Sequence, residues 1–345
     1  MRHFVNIHFL LDIPAGALNM GETDPARNNL VLVKKLRTVN GIVPYISAQA
    51  FRYWLRETLR DKYSWHLSPT TAVSSRQAYT EADPVKYPDD DVFGYMRATK
   101  EDVPDKKGKT KKVDVTRTRV SPLKVSTLVG VGKAFITEDF GVMSRQTDGT
   151  PILHSHEFFT GLLQGHVSIS TSDVGKFIIT QKSGFQNLRE EEAKANDKLA
   201  EKNGYYILKD KAERVKRVLD PVRALNYLAG GANLTLHLSD VTPKFIILCL
   251  HQGGNYLFGN IIDKDKKGVA FPSASYITEI LEDYANNLTS NVYIGLRSGF
   301  LDDFRQDLEA LDGKTIGNRK IIFNTPAETV TKFVEELEAD TSWID

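Results

Sequence analysis

The stretch Gly41 to Arg60, GIVPYISAQAFRYWLRETLR, constrains this chain more than any other, because its two halves carry different hydrophobic periods. Ile42, Val43, Tyr45 and Ile46 read as a short strand broken by Pro44. Ser47 stands where a helix begins, and its hydroxyl can accept a bond from a free backbone N–H of the first turn. Phe51, Trp54, Leu55, Thr58 and Leu59 then recur at helical spacing and make one apolar face. Gln49, Arg52, Arg56 and Arg60 lie along a different face. Arginines four residues apart repel by a few tenths of a kcal/mol in an isolated helix. An anion over them removes that cost, and the unpaired N–H groups and dipole of the helix start favour a phosphate there. Two readings follow: a phosphate grip, or a solvated basic face.

With 345 residues, 41% of them hydrophobic, the chain can form one large domain with insertions or two domains. The net charge of +1 means that any polyanion site is local, with acidic residues segregated elsewhere. The single cysteine, Cys249, lies in the apolar run Phe245 to Leu250 and reads as an inert core residue of a cytoplasmic protein. No apolar run approaches the roughly 20 residues of a membrane span, and MRHFVNIHFLLDIP is too polar at alternate positions for a signal peptide.

Phe4 to Ile13 alternates as a strand, with Val5, Ile7 and Phe9 on one face and Asn6 and His8 on the other. A loop follows, then a strand Leu30 to Val39 carrying Lys34, Lys35 and Arg37, folded back at Asn40-Gly41 as a hairpin. Residues 63–120 are rich in polar turn residues, with one compact patch, DDDVFGYMRATK, and a lysine run from Lys106 to Lys112. That run reads as a solvated segment or as a basic arm over nucleic acid. Residues 121–146, 158–169 and 174–179 read as core strand or helix pieces. Leu188 to Lys202 has high helix propensity and ends at Asn203-Gly204. Ala212 to Leu228 reads as a second helix, interrupted at Asp220-Pro221. GGANLTLHLSDVTPK alternates as an exposed hairpin or arm before the buried strand Lys244 to Leu250. The remainder alternates: helix Ser273 to Asn286, strand Asn291 to Leu296, helix Leu301 to Leu311, strand Lys320 to Phe323, helix Pro326 to Glu338.

Catalytic constellations are sparse. His154, His156 and Glu157 lack further zinc ligands at helical spacing, and read as a satisfied polar turn rather than a metal site. Asp12, Asp24 and Asp240 read as turn acids, and Asp89 to Asp91 as a helix N-terminus rather than a cation site. No catalytic residue, metal or cofactor is assigned. What recurs is the equipment for single-stranded nucleic acid. Lys34, Lys35, Arg37, Ser47, Gln49, Arg52 and Arg56 track phosphates, and Asn233, Thr235 and His237 on the arm hold sugar or base.

These pieces, in this order, resemble the CRISPR-associated RAMP proteins of the DevR type, the crRNA-binding backbone subunits of type I Cascade (Cas-seven class, I-B-like). ISAQAFRYWLRETLR resembles the family's serine-x-glutamine helix start with its following basic residues, and DDDVFGYMRA resembles its D-x-x-x-FG-x-M patch. HSHEFFTGLLQGHVSI and GGANLTLHLSDVTPKFII resemble two later segments, an acidic residue and phenylalanine before a strand and a glycine-alanine arm. The resemblance implies an α+β fold: a modified, ferredoxin-like RRM palm with a finger insertion and a projecting thumb. The palm then comprises 1–62, 121–187 and 244–345, the fingers 63–120, and a helical insertion with the thumb 188–243, the thumb itself running from Ala229 to Pro243. It also implies no enzymatic activity and contacts from Lys34, Arg37, Ser47, Gln49, Arg52, Arg56, Arg97, Asn233, Thr235 and His237 to the crRNA. The implied partners are crRNA, target DNA, copies of the chain in a filament, and the large, guide-processing and 5′-handle-binding subunits of Cascade. Recruitment of a helicase-nuclease or of transposition proteins stays open. The rival reading is a metal-dependent ribonuclease of a related effector, for which Asp24 is the nearest catalytic acid.

Overall fold

The structure is a computed structural model and describes residues 2–27, 29–39, 41–74, 77–104, 110–143, 149, 151–179 and 186–344. Its first strand, β1 (His3–Gly16), is the one the alternation predicts. Val5, Ile7, Phe9, Leu11 and Ile13 enter one core. The alternate residues Asn6 and His8 are buried as well. A later loop meets one polar atom of each, with Leu257 N donating to Asn6 Oδ1 at 3.4 Å and His8 Nδ1 lying 2.8 Å from the Phe258 carbonyl oxygen.

The expected strand from Leu30 to Val39 is two strands, β2 (Leu30–Val33) and β3 (Lys35–Thr38). They part at Lys34, whose N–H donates to the Asn19 carbonyl at 3.1 Å while its own carbonyl accepts from Tyr45 N at 3.0 Å. β3 then pairs with β4 (Gly41–Ile46), Thr38 opposite Gly41, which is the predicted hairpin; Asn40 lies outside the described residues. α1 (Ala48–Tyr63) starts at Ser47, whose Oγ accepts from Ala50 N at 3.3 Å. Its buried residues are Phe51, Trp54, Leu55, Thr58 and Leu59, the five that helical spacing selects.

Between residues 63 and 120 the chain forms α2 (Pro88–Phe93) and two hairpins, Thr71–Ser74 with Gln77–Tyr79 and Tyr95–Pro104 with Thr110–Arg119. Lys106, Lys107 and Lys109 of the lysine run lie outside the described residues. The acidic triplet does open α2, but all three carboxylates are buried. Asp91 accepts from Arg217 Nη1 at 2.8 Å, from Gly175 N at 2.9 Å and from Arg119 Nη2.

Of the pieces that read as strand or helix, 121–146 and 158–169 fall largely in two long antiparallel strands, β5 (Leu128–Met143) and β6 (Ile152–Ser170), whereas 174–179 holds a separate short strand, Lys176–Ile178, paired with Tyr205–Leu208. His154, His156 and Glu157 therefore lie in a strand, not in a turn. The helix expected from Leu188 to Lys202 is also corrected. α3 (Glu190–Ala195) ends at Asn196, where Asn196 Oδ1 accepts from Lys198 N at 3.0 Å, and Leu199–Lys202 is a strand. It pairs with Tyr205–Leu208 across Asn203-Gly204, whose φ values of 50° and 82° are those of a tight hairpin turn. Leu199 and Leu208 bury against Phe177 there, and this burial outweighs the helix propensity of the intervening charged residues.

α4 (Lys211–Ala224) passes through Asp220-Pro221 without interruption, and Asp220 accepts from Trp65 Nε1 at 2.9 Å. After the short α5 (Leu234–His237) come β7 (Phe245–Gln252), the hairpin β8 (Ile262–Lys264) and β9 (Ala270–Pro272), α6 (Ala274–Asp283), β10 (Val292–Leu296), β11 (Arg319–Asn324) and α7 (Pro326–Ala339). The helix expected from Leu301 to Leu311 is a 3-10 turn, Asp302–Phe304, followed by the single short helix Arg305–Glu309.

The main sheet runs β11, β10, β7, β1, β6, β5, β4, β3, with the short strand Thr315–Ile316 outside β11 and β2 against β6. Its pairs are antiparallel apart from β10–β11 and β2–β6. α1, α4 and α7 cover one face through Phe51, Leu219 and Phe333. α6 and residues 256–261 cover part of the other through Ile277, Phe258 and Ile261. The chain is thus a mixed α+β fold on an antiparallel-dominated sheet. Cys249 sits in this second core, where burial pushes its thiol up. No helix among the described residues is long and apolar enough to cross a membrane.

Candidate nucleic-acid interface

Three separate parts of the chain meet where α1 begins. Asn19 Oδ1 accepts from Ser47 N at 2.9 Å, and the Asn19 carbonyl accepts from Lys34 N. Leu18, at φ 52°, bridges to Ala232 of the segment that follows α4. That segment comes close because Gly230 and Gly231 carry no side chain. A Cβ on Gly230 would fall 2.3 Å from the Trp54 ring, and one on Gly231 2.7 Å from Leu18 Cδ2. The helix start, Lys34 and the arm bearing Asn233, Thr235 and His237 are brought together in this way. Gln49 is exposed on the first turn of α1. Of the basic cluster at the hairpin, Lys35 is spoken for: Glu157 accepts from its Nζ at 2.6 Å and from Val33 N at 3.0 Å. Lys34 and Arg37 have no ion pair among the described residues, and Arg37 is exposed.

Arg52 and Arg56 fit neither reading of the basic face as it stood. Both guanidinium groups lie over the Phe93 ring, 5.2 and 4.2 Å from its centroid. Arg52 Nη1 donates to Ser121 Oγ and to the Leu123 carbonyl, each at 3.2 Å, and Nη2 donates to the Phe93 carbonyl. Arg56 Nε lies 3.8 Å from Asp89 Oδ2. The pair therefore clamps α1 to α2, and the aromatic face and Asp89 ease its mutual repulsion. Burial, and then the neighbouring Arg56, lower Arg52 to about 10. Burial lowers Arg56 too, against the pull of Asp89 and Asp90. Arg60 is paired with Glu57 at 2.7 Å and Asp61 at 2.8 Å. Phe93, which the spacing of the basic residues does not reveal, is the platform of this arrangement. Arg97 lies on the strand Tyr95–Pro104, where its Nη1 donates to the Glu81 carbonyl at 2.8 Å, and among the described residues none of its hydrogen bonds reaches the helix start.

The arm is not the hairpin that its alternation suggests. After the Leu18–Ala232 bridge, Asn233 turns left-handed at φ 56° and its carbonyl accepts from Leu236 N at 3.0 Å and His237 N at 3.1 Å, closing the single turn α5. Alternation needs a partner strand to become a hairpin, and among the described residues the arm makes a single isolated bridge, Ala232 to Leu18. Thr235 is exposed, as are Leu236 and Leu238 at 66% and 88%. His237 turns inward instead, its ring 5.1 Å from that of Phe158 and 5.8 Å from that of His156. Burial, then His156, lowers its pKa, while Asp139 opposes them. Among the described residues no three His, Cys, Asp or Glu side chains come together as a metal set. Asp24 caps a turn: its Oδ1 accepts from Ala26 N at 2.9 Å and its Oδ2 pairs with Arg27 at 3.2 Å. Asp240 likewise accepts from Thr242 N at 2.8 Å.

The family model described as the CRISPR-associated negative auto-regulator DevR/Csa2 matches residues 13–250. No curated protein matches the chain. Among solved structures, a chain of a "CRISPR RNA-guided surveillance complex" is 8% identical, with a TM-score of 0.50, over 96% of this chain and 98% of that one. A chain of a "CRISPR RNA-guided surveillance complex, pre-nicking" is 9% identical, with a TM-score of 0.48, over 96% and 99%. The first of these likenesses is one of fold. The family match spans well over half of the sequence and contains α1, α2, both long strands and the arm, so the chain belongs to the CRISPR-associated DevR/Csa2 family.

Proposed function

We propose that this protein is a non-enzymatic backbone subunit of a type I Cascade surveillance complex, binding the guide crRNA and polymerising along it. The observation that carries the reading is the meeting, at the start of α1, of Ser47 and Gln49, Lys34, which has no ion pair among the described residues, and the glycine-linked arm with Asn233 and Thr235. Free helix-start N–H groups, point charges and amide side chains suit a ribose-phosphate chain and ignore its bases. Arg37 extends the basic edge, and Arg52 and Arg56 add positive potential beneath it from their seat on Phe93. In this reading residues 1–62, 121–187 and 244–345 form the palm and 63–120 the fingers. The arm from Ala229 to Pro243 is the thumb that reaches a neighbouring copy and kinks the guide at a regular interval for pairing with target DNA. Arg97 belongs to the finger side of the guide path, and the other Cascade subunits complete the particle.

The test is filter retention of two unrelated RNAs of equal length by wild type and by a variant carrying Lys34→Ala, Arg37→Ala and Gln49→Ala. The variant should weaken both RNAs alike, and losing two phosphate contacts should make the log–log salt slope shallower by about 1.4. Equal affinity for variant and wild type would refute the assignment.

A further inference from the structure

The sheet face opposite α1, α4 and α7 is covered near β7 and β10, but its far end on β5 and β6 is open. Phe135 is 64% exposed, Thr137 is exposed and Phe158 is half-buried. Phe135 pairs with Thr160, and Thr137 with Phe158. Paired residues of antiparallel strands share a face, and alternate residues along one strand share it too. Phe158, Thr160 and Leu162 thus lie on one side, the side of Leu162, which packs on the second core. Phe135 is therefore an exposed aromatic residue on that same surface.

Two elements border this floor. On one side the β8–β9 hairpin docks on β5 at a bulge, where Lys133 N donates to the Gly268 carbonyl at 3.2 Å. Gly132, at φ 69°, allows the approach: a Cβ there would lie 2.9 Å from Ala270 N. The hairpin turn exposes Lys264, Lys266 and Lys267. Asp265 is occupied by the turn, its Oδ1 accepting from Lys267 N and Val269 N at 2.8 Å each, and Asp263 accepts from Lys264 N at 2.7 Å. None of the three lysines has a side-chain ion pair among the described residues. On the other side stands α5, with His237 against Phe158. The arm thus runs from the start of α1, at Ala232, to the edge of this floor, at His237.

We propose that this face is a second strand-binding surface, over which the guide continues after leaving the start of α1, with a base stacked on Phe135 and phosphates held by the hairpin lysines. The proposal rests on the guide-binding reading above. Its own support is charge and shape: unpaired cations beside an exposed aromatic ring are the pairing that single strands use, since every base offers a face and every linkage a charge. An acidic protein would use the lysines but would leave the ring without a planar partner.

The full chain is tested with a fluorescein-labelled 24-nucleotide polyuridine. Lys264→Ala, Lys266→Ala and Lys267→Ala together should make the salt slope shallower by about 2, at roughly 0.7 per contact for a single strand. Phe135→Ala should weaken binding about fivefold or more with the slope unchanged. A 4-thiouridine version should crosslink to the peptide containing Phe135. All four positions are exposed, and matching melting temperatures serve as the control for folding. If these variants bind like wild type while the Lys34, Arg37 and Gln49 variant is weakened, this surface is refuted and the α1 site stands. If wild type itself retains no RNA, both fall. If the lysine variant instead loses self-association in RNA-free sedimentation velocity, the face is a protein interface and the proposal is wrong.

Discussion

Replacing Asp91 by asparagine tests the packing that seats the candidate interface. Asp91 is fully buried, and so nearly are its two partners, Arg119 at 5% and Arg217 at 3% exposed. Its carboxylate accepts from Arg217 Nη1 at 2.8 Å, from Arg119 Nη2 and from Gly175 N at 2.9 Å. Asparagine keeps the shape and one acceptor oxygen but turns donors toward a guanidinium. Two buried positive charges are then left with Glu213, 2.8 Å from Arg217 Nε, as the remaining carboxylate partner among the described residues. Breaking a buried pair in this way costs about 3–5 kcal/mol. Total stability is on the order of 5–15 kcal/mol, so the loss is a large fraction of it. The effect reaches the interface because α2 carries Phe93, the platform under Arg52 and Arg56. Urea unfolding followed by circular dichroism should show the midpoint falling steeply in Asp91→Asn, with partial recovery when Arg217→Met is added. A single variant within about 1 kcal/mol of wild type would refute the argument that this carboxylate holds α2, α4 and the Arg119 strand together.

Other expectations are separately testable. Gly230→Ala puts a methyl group 2.3 Å from the Trp54 ring, which is 4% exposed, and should cost about 1–3 kcal/mol while opening the arm to proteolysis; an unchanged cleavage pattern would count against the crossing described here. Arg52→Ala leaves the Leu123 and Phe93 carbonyls without this donor and should lower stability by about 1–3 kcal/mol as well as RNA affinity, so a loss of affinity at constant melting temperature would contradict the clamp. Burial holds His8 and His251 below the ordinary histidine value and His166 down to about 4, so the unfolded chain binds more protons than the folded one below about pH 6.5. Stability from these groups is complete above that pH and is lost as pH falls toward 4, by up to about 3 kcal/mol for His166 alone. Asp89 and Asp90, raised by burial, pull the other way, so the diagnostic is His166→Gln: it should flatten the fall, and an identical pH profile would exclude His166 as its source.

Local signals were legible where one element carries its whole reason in its own residues. Ser47 and the five apolar positions of α1 are such a case, as is the alternation of β1. Long-range partners were not legible. Asp91 looks like a plain helix start until Arg119, 28 residues away, and Arg217, 126 away, are folded onto it. Arg52 looks like a free cation until the Phe93 carbonyl, 41 residues on, takes its hydrogen bond. The Asn203-Gly204 pair reads as a helix stop in the sequence, but the same dipeptide makes a hairpin turn here, because Leu199 and Leu208 are buried across it. The alternation of NLTLHL fails for the opposite reason, since among the described residues it finds no strand to pair with beyond the Ala232 bridge. Lys34, Ser47 and the arm were each visible in the sequence, but their meeting through Asn19 and Leu18 was not.

The measurement closest to the central claim is the mass of the purified protein on RNAs of increasing length, by sedimentation velocity at low and high salt. A subunit that grips ribose-phosphate without reading bases should add whole copies as the RNA lengthens, irrespective of its sequence, and should fall off steeply as salt rises. A species that stays monomeric at every length, or that assembles on one sequence and not on another of equal length, would contradict it.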